Sequence, residues 1–249
     1  MTVDEYQEAR GIAQTIADSL DLPLFYREKK EECALSRRMF EKEPLVEACV
    51  AMLKTRKASY GHGLSHACKV AVDAGAIIIV EGFDGAPGLT RLVFLAHIAG
   101  VLHDIARSNP DHAHVGAQEA GIILDGFNLP AAEIEAITGA IENHEAFQPC
   151  KPLNSRSSQL LSDALYDADK FRWGPDNFTE MIWDILAPRR VPVATLIERF
   201  LPGLKGIEKI RGTFRTETGK KYGPDFIDRG ITIGLELYKR LGGTELYRR

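Results

Sequence analysis

Seven histidines fall between His62 and His144, and none lies in the last 105 residues. Histidines kept only for packing have no reason to cluster in this way. Metal binding or acid–base chemistry supplies one. Several of them, with two aspartates, stand where an apolar helical stripe begins or ends. His66 opens one stripe. His103 and Asp104 close another, in Val101-Leu102-His103-Asp104-Ile105-Ala106-Arg107. His112 precedes Val115-Gly116-Ala117, His144 ends the stripe Ile134, Ile137, Ile141, and Asp169 lies in Ala168-Asp169-Lys170. An imidazole or carboxylate at the buried end of such a stripe must be satisfied there. Groups of this kind from different helices can satisfy one another by sharing a cation.

The elements that would position them are helical. Period-3.6 patterning dominates the chain. An amphipathic stretch covers residues 3 to 20 on Ile12, Ile16 and Leu20, and a second helix covers Leu35 to Lys57. A third runs from Gly63 to Val80, with His66, Val70, Ala74, Ile77 and Ile78 at spacings of three and four. Its β-branched run Ile77 to Val80 would suit a short strand, but continuity with the preceding pattern favours helix. Thr90 to Ala106 is apolar nearly all round and reads as a buried helix, with Gly100 permitting a close helix approach. Further helices are expected near 113–125, 131–146 and 157–170, then near 177–186, 192–212 and 225–241. Pro188, Pro192, Pro202, Gly219 and Gly223 are expected to break up the C-terminal part. With no βαβ rhythm, the fold class is all-α.

Composition bounds the rest. The 249 residues are 45% hydrophobic and 27% charged, which excludes a disordered tail or a fibre. The longest apolar runs, Ala74 to Val80 and Leu92 to Leu102, are too short or too interrupted to cross a bilayer. No secretory signal is read at the N-terminus. Four scattered cysteines without a Cys-x-x-Cys pair argue against a zinc finger or a disulfide scaffold, and a reducing, cytoplasmic setting is the simplest reading. The net charge of −4 conceals a basic C-terminal quarter. Residues 189–249 hold 14 Lys and Arg against 7 Asp and Glu. That could attract an anionic substrate or simply be a solvated face. No aromatic-basic stacking pattern supports nucleic-acid binding. Zincin, nucleophile-elbow and Walker signatures are absent.

Taken together, the histidine and aspartate segments resemble the HD-domain metal-dependent phosphohydrolase superfamily over roughly residues 58–172. His66-Ala67-Cys68-Lys69-Val70 is similar to its first motif, and Leu102-His103-Asp104-Ile105 to the His-Asp pair that names it. His112-Ala113-His114-Val115-Gly116-Ala117 and Ala140-Ile141-Glu142-Asn143-His144 are similar to the two additional histidine motifs of dinuclear members. Asp169 matches the closing Ala-Asp-basic motif. The resemblance implies a single helical domain with the metals at its centre. His66, His103, Asp104 and Asp169 would hold one ion. His112 and His144, with Asp104 as bridge, would hold a second. Residues 175–249 fall outside the resemblance and would form a helical cover or an oligomer surface.

The implied cofactors are one or two divalent ions, with Fe, Mn, Co, Ni and Zn all suited to imidazole and carboxylate. The implied partner is a small phosphorylated molecule, nucleotide-like, hydrolysed at an ester or anhydride by metal-activated water. Asp104, Arg107 and Lys69 are the candidate catalytic residues. Arg107, one turn beyond His103, could grip a phosphate bidentately, while Lys69 either does likewise or faces solvent. Several alternatives stay open. An inward histidine such as His144 is commonly a satisfied core residue. His114 rivals His112, and periodicity leaves Asp167 tied with Asp169. His62 would line the pocket or sit in a loop. His97 faces away from His103 and is expected to be structural. Arg172 and Trp173 would line the pocket or pack. A di-iron oxygenase and a non-catalytic nucleotide sensor compete with the hydrolase.

Overall fold

Two helices that are apolar on nearly every side form the centre of the molecule. In the numbering used below they are α5 (Leu64–Glu81) and α6 (Leu89–Leu102). Burial of Val70, Ala71, Ala74, Ile77 and Ile78 on α5, and of Val93, Ala96, Ile98, Ala99 and Leu102 on α6, leaves neither helix with a solvated face of any width. Gly100 lets them close together, because a Cβ there would run into the Ala71 backbone. The run Ile77 to Val80 is helical, as continuity with the pattern requires.

The computed structural model describes residues 3–55, 63–82, 88–245 and 247. It is all-α, a helical bundle with no strand among the described residues. Around the central pair lie α1 (Val3–Asp18), α2 (Leu24–Glu28), α3 (Lys30–Lys42), α4 (Pro44–Thr55), α7 (His112–Asp125), α8 (Ala131–Glu142) and α9 (Arg156–Phe171). A π-helical turn (Asn177–Met181) runs into α10 (Ile182–Leu186), followed by α11 (Val193–Ile210) and α12 (Glu217–Arg240). One hydrophobic cluster runs from Tyr6 on α1 to Tyr238 on α12, so the C-terminal helices share a core with the rest.

Several boundaries differ from those the sequence pattern predicts, each for a physical reason. The stretch Leu35 to Lys57 is not one helix. Pro44, which has no N–H to give, ends α3 and opens α4. The buried helix stops at Leu102, and residues 103 to 107 fold into successive tight turns, Ile105 N–H to Leu102 O and Arg107 N–H to Asp104 O. The helix expected to reach residue 146 ends at Glu142, because Asn143 leaves it to bond both the N–H and the carbonyl of Lys151. Gly219 and Gly223 do not break the last helix. They are close-packing positions within α12, one against the Asp167 carboxylate and the other against the Phe214 ring. Pro202 and Pro224 likewise lie inside α11 and α12.

Candidate metal centre

Six side chains from five places in the bundle converge at one end of the central helix pair. His66 stands in the first turn of α5, and His103 and Asp104 follow α6. His112 opens α7, His144 lies two residues beyond α8, and Asp169 is in the last turn of α9. All six are buried. Their placement follows from the helix ends. Each is carried to the interior by the last or first turn of an apolar stripe, such as Ile137, Ala140 and Ile141 ahead of His144 or Leu161, Ala164, Leu165 and Ala168 ahead of Asp169.

The distances define two overlapping groups. His66 Nε2 lies 3.2 Å from His103 Nε2 and 3.3 Å from Asp169 Oδ1, and His103 Nε2 is 3.7 Å from the same oxygen. Asp104 Oδ2 faces this group, 3.5 Å from His103 Nε2 and 3.8 Å from His66 Nε2. The other oxygen, Oδ1, faces the second group, 3.4 Å from His144 Nε2 and 3.8 Å from His112 Nε2. The buried sets His66–His103–Asp169 and His103–Asp104–His144 are each close enough to hold a metal ion.

The donor chemistry fits a cation. His103 Nδ1 is 2.7 Å from the Gly100 carbonyl and His144 Nδ1 is 2.6 Å from the Ile141 carbonyl. A carbonyl only accepts, so both Nδ1 atoms carry the proton, and a neutral ring then presents its Nε2 lone pair to the centre. This outer bonding is how metal-binding imidazoles are commonly oriented. Lys170 holds Asp169 from outside through a short ion pair to Oδ2, and it also donates to the His144 carbonyl at 3.0 Å. Burial works against the charged form of Asp169, but Lys170, His66 and His103 outweigh it and hold the carboxyl well below its ordinary range. At His103 burial is likewise outweighed, by Asp104 and Asp169, and its pKa is raised.

The alternatives left by the sequence resolve in space. Asp169 is at the centre. Asp167 points away and accepts from the Arg215 and Thr216 backbone N–H groups and from the Thr216 hydroxyl, at 2.7–2.8 Å. Burial pushes the Asp167 carboxyl up to about 6 despite these donors. His112 belongs to the cluster, whereas His114 is exposed and pairs with Glu142 at 2.9 Å. His97 is remote and bonds Ser36. His62 lies outside the described residues. Trp173 packs against the core, partly buried.

Arg107 and Lys69 have different surroundings. Arg107 Nη1 donates to His112 Nε2 at 2.6 Å and lies 3.9 Å from Asp104 Oδ1. Burial and this guanidinium together push the His112 imidazole down to about 4. Lys69 is about a third exposed but does not stand ready for an anion. It pairs with Glu180 at 2.6 Å and Asp176 at 3.3 Å. With His66, Arg172 and Asp184 these residues line a small cavity of about 40 Å³ beside the centre.

A polar network behind that cavity has no counterpart in the sequence pattern. Arg172 is buried and pairs with Asp73 through a short contact and with Asp176 at 2.5 Å. It also reaches the Tyr26 hydroxyl at 2.6 Å. The local signals are Asp73, a single acid inside the apolar run of α5, and the spacing of Arg172 and Asp176 four residues apart. No family model matches the chain, and no solved structure matches it.

Proposed function

We propose that this chain is a metal-dependent phosphohydrolase of the HD-domain type, acting on an ester or anhydride of a small phosphorylated molecule such as a nucleotide. The observation that carries the reading is the single carboxylate of Asp104, with one oxygen turned to the His66–His103–Asp169 group and the other to His144 and His112. A bridging carboxylate between two ligand sets is what a two-ion site requires. His66, His103, Asp104 and Asp169 would hold one ion, and Asp104, His144 and His112 a second. Ions bound there would neutralise phosphoryl oxygens and acidify a water into a nucleophile.

The remaining work falls to the chain's own residues. Lys170 and the Gly100 and Ile141 carbonyls keep Asp169, His103 and His144 turned inward. Arg107, with about a third of its side chain exposed, stands at the rim of the cluster. Its planar fork suits two phosphoryl oxygens at once, and moving to a substrate would release the Nε2 of His112. Lys69 is held by two acids and serves this reading as a spacer of the adjoining cavity rather than as an anion clamp.

The test begins with elemental analysis of the purified protein, followed by an anaerobic screen of phosphomonoesters, phosphodiesters and nucleotides with the metal found. Metal-dependent phosphate release is expected. Asp104→Ala and His103→Ala should each lose metal and turnover while keeping helical circular dichroism. Full turnover in the Asp104→Ala protein would overturn the reading. Turnover that requires iron and dioxygen would also overturn it, in favour of an oxygenase.

A further inference from the structure

Two consecutive carbonyls just beyond α8, those of Asn143 and His144, have no backbone donor among the described residues. Each is taken by a cation instead. Lys170 Nζ donates to the His144 carbonyl at 3.0 Å, and Arg215 Nη1 donates to the Asn143 carbonyl at 3.0 Å. Cations suit this end of a helix, where unpaired carbonyls carry partial negative charge. Lys170 belongs to the last turn of α9. Arg215 lies between α11 and α12, outside the segments that resemble the HD-domain superfamily.

One aromatic ring joins the two cations. Tyr166 is buried. The Arg215 guanidinium carbon lies 3.6 Å from the centre of its ring, and Lys170 Nζ lies 4.9 Å from it. A cation over a ring face is attracted to it, and more strongly where water is excluded. Asp163, Tyr166, Asp167 and Lys170 recur at intervals of three and four along α9 and so share a face. Asp167 Oδ1 accepts from the Arg215 N–H at 2.8 Å, and Asp163 Oδ1 is 4.0 Å from Arg215 Nη1. Main chain and side chain of Arg215 are both fixed to α9. The beneficiary is His144. Its Nδ1 is set by the Ile141 carbonyl, its Nε2 lies 3.4 Å from Asp104 Oδ1, and its main chain is held at 143 by Arg215 and at 144 by Lys170.

We propose that Arg215 is a positioning residue for His144, so that the C-terminal part of the chain completes the second ligand set, Asp104, His144 and His112. The proposal rests on the reading of His144 as an ion ligand. Arg215 acts through the Asn143 carbonyl rather than on an ion. Its removal takes away one of two adjacent anchors and lets His144 Nε2 drift from Asp104 Oδ1. In the first group Asp169 is held by Lys170, and that hold survives the loss of Arg215. The effect is therefore selective for the ion that His144 would hold.

The test uses the full-length protein freed of metal by chelation. In ¹⁵N NMR the His144 ring, assigned by its loss in His144→Gln, is expected as the Nδ1-protonated tautomer. Arg215→Met should shift these signals toward a mixture of tautomers. Co²⁺ alone is then titrated in and followed by its visible absorption. The component absent from His144→Gln should bind at least ~10-fold more weakly in Arg215→Met, the usual cost of losing an outer partner of a ligand. The remaining component should be unchanged. Arg215→Lys, which keeps a cation for Tyr166 and the carbonyl, should recover most of the lost affinity. Asp167→Asn keeps an oxygen for the Arg215 N–H, so it should lose stability without this selective weakening. An unmoved His144 ring in Arg215→Met overturns the proposal whatever the metal titration shows. So does a His144-dependent component of unchanged affinity, or equal weakening of both components. A wild type with no His144-dependent component overturns the two-ion reading and the metal half of the proposal with it, and the ring signals then judge the hold of Arg215 alone.

Discussion

Asp167 and Asp169 sit two positions apart on one helix, both buried, yet they do opposite things. Asp169 faces two imidazoles and a lysine, while Asp167 closes the turn that starts α12. Substitution should separate them. In Asp167→Asn an amide NH₂ would meet the Thr216 donors, leaving buried donors unmet at about 2 kcal/mol. Urea denaturation should show that loss with metal content unchanged. Asp169→Asn should instead lower metal stoichiometry in elemental analysis, and it should also destabilise the metal-free protein, because it strands the buried Lys170 ammonium. Equal metal content in the two variants would contradict this division. Helical periodicity could not make the distinction, since both residues flank the same apolar face. What decides it is a backbone turn 48 residues downstream, a pairing that no local pattern records. His103 and Asp104 were legible for the converse reason. Two polar side chains that close an otherwise apolar helix must be satisfied in the interior, and local sequence offers them no partner. His112 was separable from His114 only through its partners, Arg107 and Asp104 on one side and Glu142 on the other.

At the scale of elements, the site depends on how closely α5 and α6 pack, because His66 starts one and the 103–104 pair ends the other. Gly100 sets that approach. A methyl at residue 100 collides with backbone atoms of Ala71, which cannot rotate away as a flexible side chain would. Gly100→Ala should therefore cost about 3 kcal/mol, the upper part of the range for overpacked cores. It should also weaken metal retention, since the two ligand-bearing helices must separate. Thermal denaturation and metal content after dialysis check both parts. A stable variant with full metal occupancy would show that the helices can shift without disturbing the cluster. The central helices were readable because burial on every side leaves a long apolar signature. Element ends were read less well. Asn143 leaves α8 to bond Lys151, and Pro202 and Pro224 are absorbed inside helices, outcomes set by tertiary partners rather than by local preference.

Across the whole molecule, α2, α5, the end of α9 and the π-helical turn are tied behind the candidate metal centre by one connected set of charges, buried at Asp73 and Arg172 and partly exposed at Lys69, Asp176 and Glu180. Arg172 joins Tyr26, Asp73 and Asp176, and Lys69 joins Asp176 and Glu180. Arg172 and Asp176 are a local pair four residues apart, but Tyr26, the Lys69–Asp73 stretch and the 172–180 stretch are far apart in the chain, so their association is a product of the fold. Burial disfavours the charge on Arg172, but Tyr26, Asp73 and Asp176 outweigh it and raise its pKa well above the ordinary value. Burial raises the Asp73 pKa, with Arg172 opposing. Each therefore depends on the other. Arg172→Met should leave Asp73 buried without its main partner and cost about 3–5 kcal/mol, the range for breaking a buried ion pair. Asp73→Leu should be costly for the same reason, through the stranded guanidinium. Arg172→Met/Asp73→Leu removes both charges, so its loss should fall below the sum of the single losses by about 1–3 kcal/mol. Urea unfolding of metal-free protein at pH 7 measures all four forms without a contribution from bound ions. Strict additivity would mean that Asp176, rather than Asp73, neutralises Arg172. The four segments would then be held beside the centre by the hydrophobic cluster rather than by this charge pair.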